Sequence, residues 1–248
     1  MEAISTQGKV FEIGPGLGAL TYLLQKKANQ LVLFEIDRGF VQILSDFFPS
    51  VEIVQGDALK TIPDYVKSHF VPDAIVSNLP YNVGAHIIGM LIQNQILAKS
   101  MVFTLQKEVV LRMLSKVGSK DYSVFTLMCE LDYNLKKVMD INGASFYPVP
   151  NVASSVVALT LKEDRVCHGV SLDDKKTREI YFRLAHTLFA SRRKTVKNNL
   201  EREALKFKIG KEQLFEAALN ADIPLDARGE EIGYKNIWHC ATLISSFN

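Results

Sequence analysis

The stretch Val10-Phe11-Glu12-Ile13-Gly14-Pro15-Gly16-Leu17-Gly18 holds, in nine residues, a strand, a tight turn and the start of a helix. Its β-branched and aromatic residues suit a buried strand. Gly14 and Gly16 let the backbone turn sharply and approach a ligand with no Cβ in the way. A helix that follows directly puts its electropositive end beside the turn. The Gly-x-Gly-x-Gly spacing is shared with nicotinamide and flavin fingerprints and with purely structural turns. The stretch therefore points to a nucleotide cofactor without selecting one.

Outward from this turn, apolar β-branched runs recur at 9–13, 30–35, 51–54, 73–77, 101–105, 135–142 and 154–161. Helical patterns at 17–28, 38–47, 59–70, 83–94, 107–115 and 123–132 separate the earlier runs. Alternation of this kind signals a parallel sheet covered by helices. Only a Pro-containing loop, 143–153, joins the last two strands, which predicts an antiparallel hairpin. The expected fold is α/β and Rossmann-like: a mostly parallel seven-stranded sheet ending in that hairpin. A polar stretch at 162–174 then leads into helices with breaks near Gly210, Pro224 and Gly229. Two domains are expected, an α/β one over 1–165 that carries the glycine turn and a helical one over 166–248.

A chain of 248 residues, 48% of them hydrophobic, can bury one full core and a smaller second one. No signal-like leader and no bilayer-length apolar window is present, so a soluble cytoplasmic protein without a membrane partner is expected. Cys129, Cys167 and Cys240 lack C-x-x-C spacing, and the five histidines lack ligand spacing; neither a disulfide framework nor a metal site is expected. Net charge is only +2, yet residues 174–211 hold twelve Lys/Arg against four Asp/Glu, a local +8 that leaves −6 for the rest. Such a segment fits a polyanion such as RNA, or a solvated helix face. A helix over 189–200 is expected to present Arg192, Arg193, Lys194 and Lys197 to phosphates, with Leu188, Phe189, Val196 and Leu200 toward the core.

Glu35 closes the second strand, where a carboxylate can accept both ribose hydroxyls of an adenosine, a device nicotinamide sites share. Asp57 follows the third strand; it is placed either to accept from an adenine amine or to cap the next helix. Past the fourth strand stands Asn78-Leu79-Pro80-Tyr81. The lone pair of an adenine amine is delocalised into the ring and must be localised before the nitrogen can attack a methyl sulfonium. The Asn78 side-chain oxygen and a carbonyl at Leu79 or Pro80 can accept its two protons. Tyr81 offers a stacking face for a flipped base. The other reading is an ordinary Pro turn with a half-buried tyrosine. In the hairpin loop, Phe146 in Ser145-Phe146-Tyr147-Pro148 is a candidate for the base's second face, or a core side chain.

Taken in order, Glu12 to Gly18, Glu35-Ile36-Asp37, Gly56-Asp57-Ala58-Leu59, Asn78 to Asn82, Leu105-Gln106-Lys107-Glu108-Val109 and the stretch from Phe146 to Val156 resemble the ribosomal small-subunit adenine dimethyltransferase family. Its relatives include the erythromycin-resistance methyltransferases. Arg192-Arg193-Lys194-Thr195, Asn198-Asn199-Leu200, Arg228 and Glu230 look like that family's tail. The resemblance implies S-adenosylmethionine as cofactor, held by Gly14, Gly16, Glu35, Asp57 and Asn78. It implies a methyl-acceptor site of Asn78, Leu79, Pro80, Tyr81 and Phe146, and dimethylation at N6 of two adjacent adenosines near the 3′ end of small-subunit rRNA. A monomer acting on rRNA or a pre-small subunit during ribosome biogenesis, with no metal, is expected. Family members carry a basic segment and a Gln-Asn-Phe-Leu motif before the first strand. Only about eight residues precede that strand here, so a shortened chain is expected. Competing readings are a non-catalytic ribosome-assembly factor, for which the acceptor motif is not required, and a nicotinamide oxidoreductase, in which it has no role.

Overall fold

The computed structural model describes residues 8–145 and 152–247. Seven strands form one sheet: β1 (Lys9–Ile13), β2 (Gln30–Glu35), β3 (Glu52–Gln55), β4 (Ala74–Asn78), β5 (Ser100–Gln106), β6 (Tyr133–Ile141) and β7 (Ser154–Leu161), in the order β3-β2-β1-β4-β5-β7-β6. The first five are parallel, and β7 runs antiparallel between β5 and β6, so the expected fold is the observed one. Successive strands step away from β1 in one direction and, from β4 onward, in the other. That reversal opens a crevice at the carboxyl ends of β1 and β4, where ligands bind in open α/β sheets.

Helices α1 (Thr21–Leu24), α2 (Arg38–Phe47), α3 (Ala58–Ser68), α4 (Gly84–Gln93) and α5 (Lys107–Met113) follow the first five strands. Val10, Phe11, Val32, Leu33 and Ile75 are fully buried, as strands covered on both faces require. Phe11, Phe34 and Tyr65 meet edge to face, with centroids 4.9–5.6 Å apart. The helix expected over 17–28 shrinks to one regular turn. Gly18 sits at φ +83°, and a Cβ there would come within 2.5 Å of the Phe48 ring, so the helix cannot start before it.

The chain divides into two compact units, and the division is not linear. Residues up to Leu111 join Tyr133–Leu161; Arg112–Asp132 joins the residues from Lys162 on. The second unit holds α6 (Val124–Asp132), a hairpin of β8 (Val166–Cys167) and β9 (Val170–Ser171), then α7 (Lys175–Leu188), α8 (Val196–Glu203), α9 (Lys211–Asn220) and α10 (Tyr234–Phe247). Tyr181, Leu184, Leu200, Leu214 and Trp238 form its core with Leu127 and Leu131 of α6. Asp132, fully buried at the end of α6, accepts from both terminal nitrogens of Arg178 at 2.9 Å and from Arg165 at 2.9 Å. A buried charge left alone costs several kcal/mol, so this pairing ties α6 to the later chain. Among the described residues no helix is long and apolar enough to cross a membrane.

The basic segment departs from expectation. Residues 189–195 are turns between α7 and α8 rather than part of a helix. The reason is local: Thr195 is extended at ψ 162° and its hydroxyl accepts from the Asn198 amide, which starts a new helix. Leu188, Val196 and Leu200 are buried as expected, and Phe189 is half-buried against the same core.

Candidate active site

At the switch point, Gly14 and Gly16 both adopt left-handed backbone, φ +63° and +56°, a region that glycine enters without strain. This turn bends over the end of β2. The Gly16 amide donates to Glu35 Oε2 at 3.2 Å, and the Ile36 and Asp37 amides donate to Oε1 at 2.8 and 2.9 Å. Three backbone donors thus fix the carboxylate at the strand's mouth. Asp57, after β3, caps α3 by accepting from the Leu59 amide at 3.0 Å with Oδ1. Its Oδ2 has no partner among the described residues, so capping and ligand contact are compatible.

Gly14, Gly16, Glu35, Asp57 and Pro80 line one cavity of about 500 Å³. Much of the remaining lining is apolar, including Ile36, Phe40 and Leu59. Ile36 is 67% exposed and presents an apolar surface at the cavity mouth. Fixed carboxylate acceptors beside apolar walls suit an adenosine: hydroxyls toward Glu35, an amine toward Asp57 and a ring between Ile36 and Leu59. Ile36 and Leu59 stand in motifs quoted above without a role of their own, and Phe40 stands in none. Their signal is an apolar residue just past an acidic strand end or an acidic cap, where polar loop residues are usual.

Asn78 ends β4 exposed, with no side-chain hydrogen bond among the described residues, and Leu79 is buried. The Pro80 carbonyl accepts from the Val83 and Gly84 amides at 3.2 and 3.0 Å, a turn that launches α4. The Leu79 carbonyl carries no such bond among the described residues, so Leu79 rather than Pro80 has the spare acceptor next to Asn78. Tyr81 is half-buried, its hydroxyl 2.5 Å from Ser154 Oγ at the start of β7. Of the acceptor tetrapeptide only Pro80 lines the cavity itself. Phe146 lies outside the described residues.

Beneath the turn is a group the sequence reading did not single out. Glu12, 1% exposed, has one side-chain partner, the Thr21 hydroxyl at 2.7 Å. Burial pushes its carboxyl up to about 7, with the nearby Glu35 adding to the effect. The Ser77 hydroxyl donates to the Ile13 carbonyl and ties β4 to β1 at this level.

In the second unit Arg192, Arg193, Lys194 and Lys197 are all exposed, the first three on the turn after α7 and Lys197 in the first turn of α8. None forms an ion pair among the described residues. The turn is held from below: Asn199 Nδ2 donates to the carbonyls of Leu188 and Ser191, both at 3.1 Å, and lies 3.5 Å from that of Lys194. Gly229 packs so tightly that a Cβ would meet the Leu188 carbonyl oxygen at 2.4 Å. Asn199, from the quoted motif, and Gly229, at an expected helix break, thus shape the turn that carries the cations.

The family model described as "Ribosomal RNA adenine dimethylase" matches residues 3–225. Ribosomal RNA small subunit methyltransferase A of Treponema denticola is 36% identical over 197 residues, 77% of this chain and 65% of that protein. The chain thus spans just under two thirds of that relative's length. The protein of the same name from Borreliella burgdorferi is 35% identical over 248 residues, 99% of this chain and 82% of the relative. Among solved structures, a dimethyladenosine transferase from Plasmodium falciparum superposes with a TM-score of 0.75 at 25% identity, covering 93% of this chain and 87% of the other. The 23S rRNA methyltransferase ErmE, at TM-score 0.65 and 21% identity over 98% of this chain and 93% of its own, shares the fold.

Proposed function

Because the chain belongs to the ribosomal RNA adenine dimethylase family, we propose that it transfers methyl groups to N6 of adenine in ribosomal RNA, dimethylating two adjacent adenosines near the 3′ end of the small-subunit RNA. Its working partner is the small subunit or its precursor, met as a monomer in the cytoplasm. The observation that carries this reading is the convergence of Gly14, Gly16, Glu35, Asp57 and Pro80 on one cavity, with the spare acceptors of Asn78 and Leu79 next in the chain.

S-adenosylmethionine is the cofactor and, when bound, supplies an electrophilic methyl group. Glu35 would hold the ribose hydroxyls and Asp57 Oδ2 the adenine amine. Toward the target base, Asn78 Oδ1 and the Leu79 carbonyl accept the two protons of the amine and localise its lone pair on nitrogen. Tyr81 offers a stacking face, its ring fixed by the bond from its hydroxyl to Ser154. Phe146 is assigned the opposite face on the resemblance. No general base is required, because the alkylated amine is acidic and gives its proton to water. Arg192, Arg193, Lys194 and Lys197 contact backbone phosphates, so affinity falls steeply with salt.

Labelled S-adenosylmethionine and unmethylated small ribosomal subunits test this, with modified nucleosides mapped by mass spectrometry. Dimethyladenosine should appear with the natural chain. Asn78→Ala should lower the rate by roughly 10²–10³, the loss typical of one positioned hydrogen-bond partner. No label, with salt-sensitive subunit binding intact, would refute the catalytic reading and leave an assembly factor.

A further inference from the structure

A second cavity, about 760 Å³, lies within the helical unit, and Arg192 alone of its lining has a role above. Arg112, Lys120 and Arg192 line it, all exposed and none in an ion pair among the described residues. Phe125, half-buried in the first turn of α6, lines it too. So do Ser119 and Glu230, whose Oγ and Oε2 atoms are buried without a hydrogen-bond partner among the described residues. The site is built rather than incidental. The Gly118 amide donates to the Glu230 carbonyl at 2.7 Å and so joins the loop before α6 to the segment just after Gly229.

Cations alone would suit inorganic phosphate, but the carboxylates of Asp121 and Glu230 oppose a small dense anion. The mixture fits a ligand with separate anionic, aromatic and hydrogen-bond-donating parts. A nucleotide has all three: phosphate for the cations, a π-face for Phe125 and a base amine or imino group for the unpartnered Glu230 oxygen. The volume lies in the range of pockets that enclose ligands of this size. The positive end of α6 adds to the attraction for phosphate.

From this combination we infer that the cavity lined by Phe125, Glu230, Arg112, Lys120 and Arg192 is a nucleotide subsite, holding one unstacked residue of an RNA strand through its base and phosphate. The inference deepens the RNA reading proposed above. It places Arg192 on the phosphate of the residue held in the pocket, while Arg193 and Lys194 meet other backbone phosphates outside it.

The test has two arms on the full chain. In the first, affinity for unmethylated small subunits is measured for Phe125→Leu, which keeps apolar volume but removes the π-face, and for Glu230→Gln and Lys120→Glu. Thermal unfolding checks the fold of each variant, and S-adenosylmethionine binding is read alongside. Each variant should weaken subunit binding about tenfold while leaving cofactor affinity unchanged. Loss with Lys120→Glu alone would reduce the pocket to a phosphate contact and overturn the nucleotide assignment; no loss with any variant would overturn the site. In the second arm, nucleoside 5′-monophosphates are titrated and the amide resonances of Gly118 and Ser119 followed. Shifts that vanish in Phe125→Leu support the subsite even if the natural chain fails to bind subunits, an outcome that would count only against the RNA reading. Absence of both shifts and subunit binding overturns the subsite.

Discussion

The two units of this chain bury carboxylates in opposite ways. In the sheet unit, Glu12 and Glu35 are held by neutral donors, a threonine hydroxyl and three backbone amides. In the helical unit, Asp132 is held by two arginines. At Glu35 neutral donors leave the negative charge available to a ligand, so the cavity at the strand ends retains acceptor capacity for hydroxyls and amines. The pairing of Asp132 inside the helical unit neutralises that buried charge, and the unit's exposed cations include Arg192, Arg193 and Lys194 at the turn after α7. One unit presents fixed acceptors to a small molecule, the other presents surface cations to a polyanion.

The most severe way to break this contrast is to unpair Asp132. Arg178→Met leaves that carboxylate with Arg165 alone. It should destabilise the helical unit by about 3–5 kcal/mol, read by urea unfolding through the chain's one tryptophan, Trp238. An unchanged midpoint would mean that the pairing there is dispensable. Glu12→Gln is next and has the opposite sign. A folded carboxyl raised to about 7 from 4.5 binds its proton more tightly than the unfolded chain does. Stability is therefore lost as pH rises between those values. The substitution should change little near pH 4 and add about 3 kcal/mol above pH 8, so a pH-independent effect would mean Glu12 is not held protonated.

Glu35→Gln sharpens the comparison at the ligand. The shape persists but the charged acceptor is gone, and S-adenosylmethionine should bind about tenfold more weakly by calorimetry. An affinity that does not move would remove Glu35 from the cofactor site. Smallest of all, Arg193→Ala should lower the salt slope of subunit binding by about 1 without changing the fold. A steeper loss at constant salt slope would point to a specific contact in place of counterion release.

Glu35 and Asp57 of the cavity were legible in the sequence because each stands at the end of a strand, and parallel topology brings strand ends together whatever the loops do. Glu35, Asp57 and Asn78 follow apolar runs that could be read as strands. Ile36 and Phe40 were not legible, since an apolar residue beside a strand end looks like core until its exposure is seen. The basic cluster was visible as charge. Its placement on a turn was not, because no Gly or Pro interrupts 189–200, and only the cap formed by Thr195 marks the break. The hairpin β8–β9 was missed because two-residue strands carry no periodicity.

By itself the sequence determined the order of strands and helices, the glycine turn and the residue types at each strand end, since these follow from local pattern and backbone sterics. Only the tertiary structure decided that Arg112–Asp132 clusters with the C-terminal helices, that the Pro80 carbonyl is taken up by the turn into α4 while that of Leu79 has no partner among the described residues, that Glu12 is buried beside Glu35, and that Phe125, Arg192 and Glu230 share a cavity. Each of these depends on which distant segments meet. Burial, desolvation and competition for a hydrogen bond are properties of that meeting and not of any one stretch of chain.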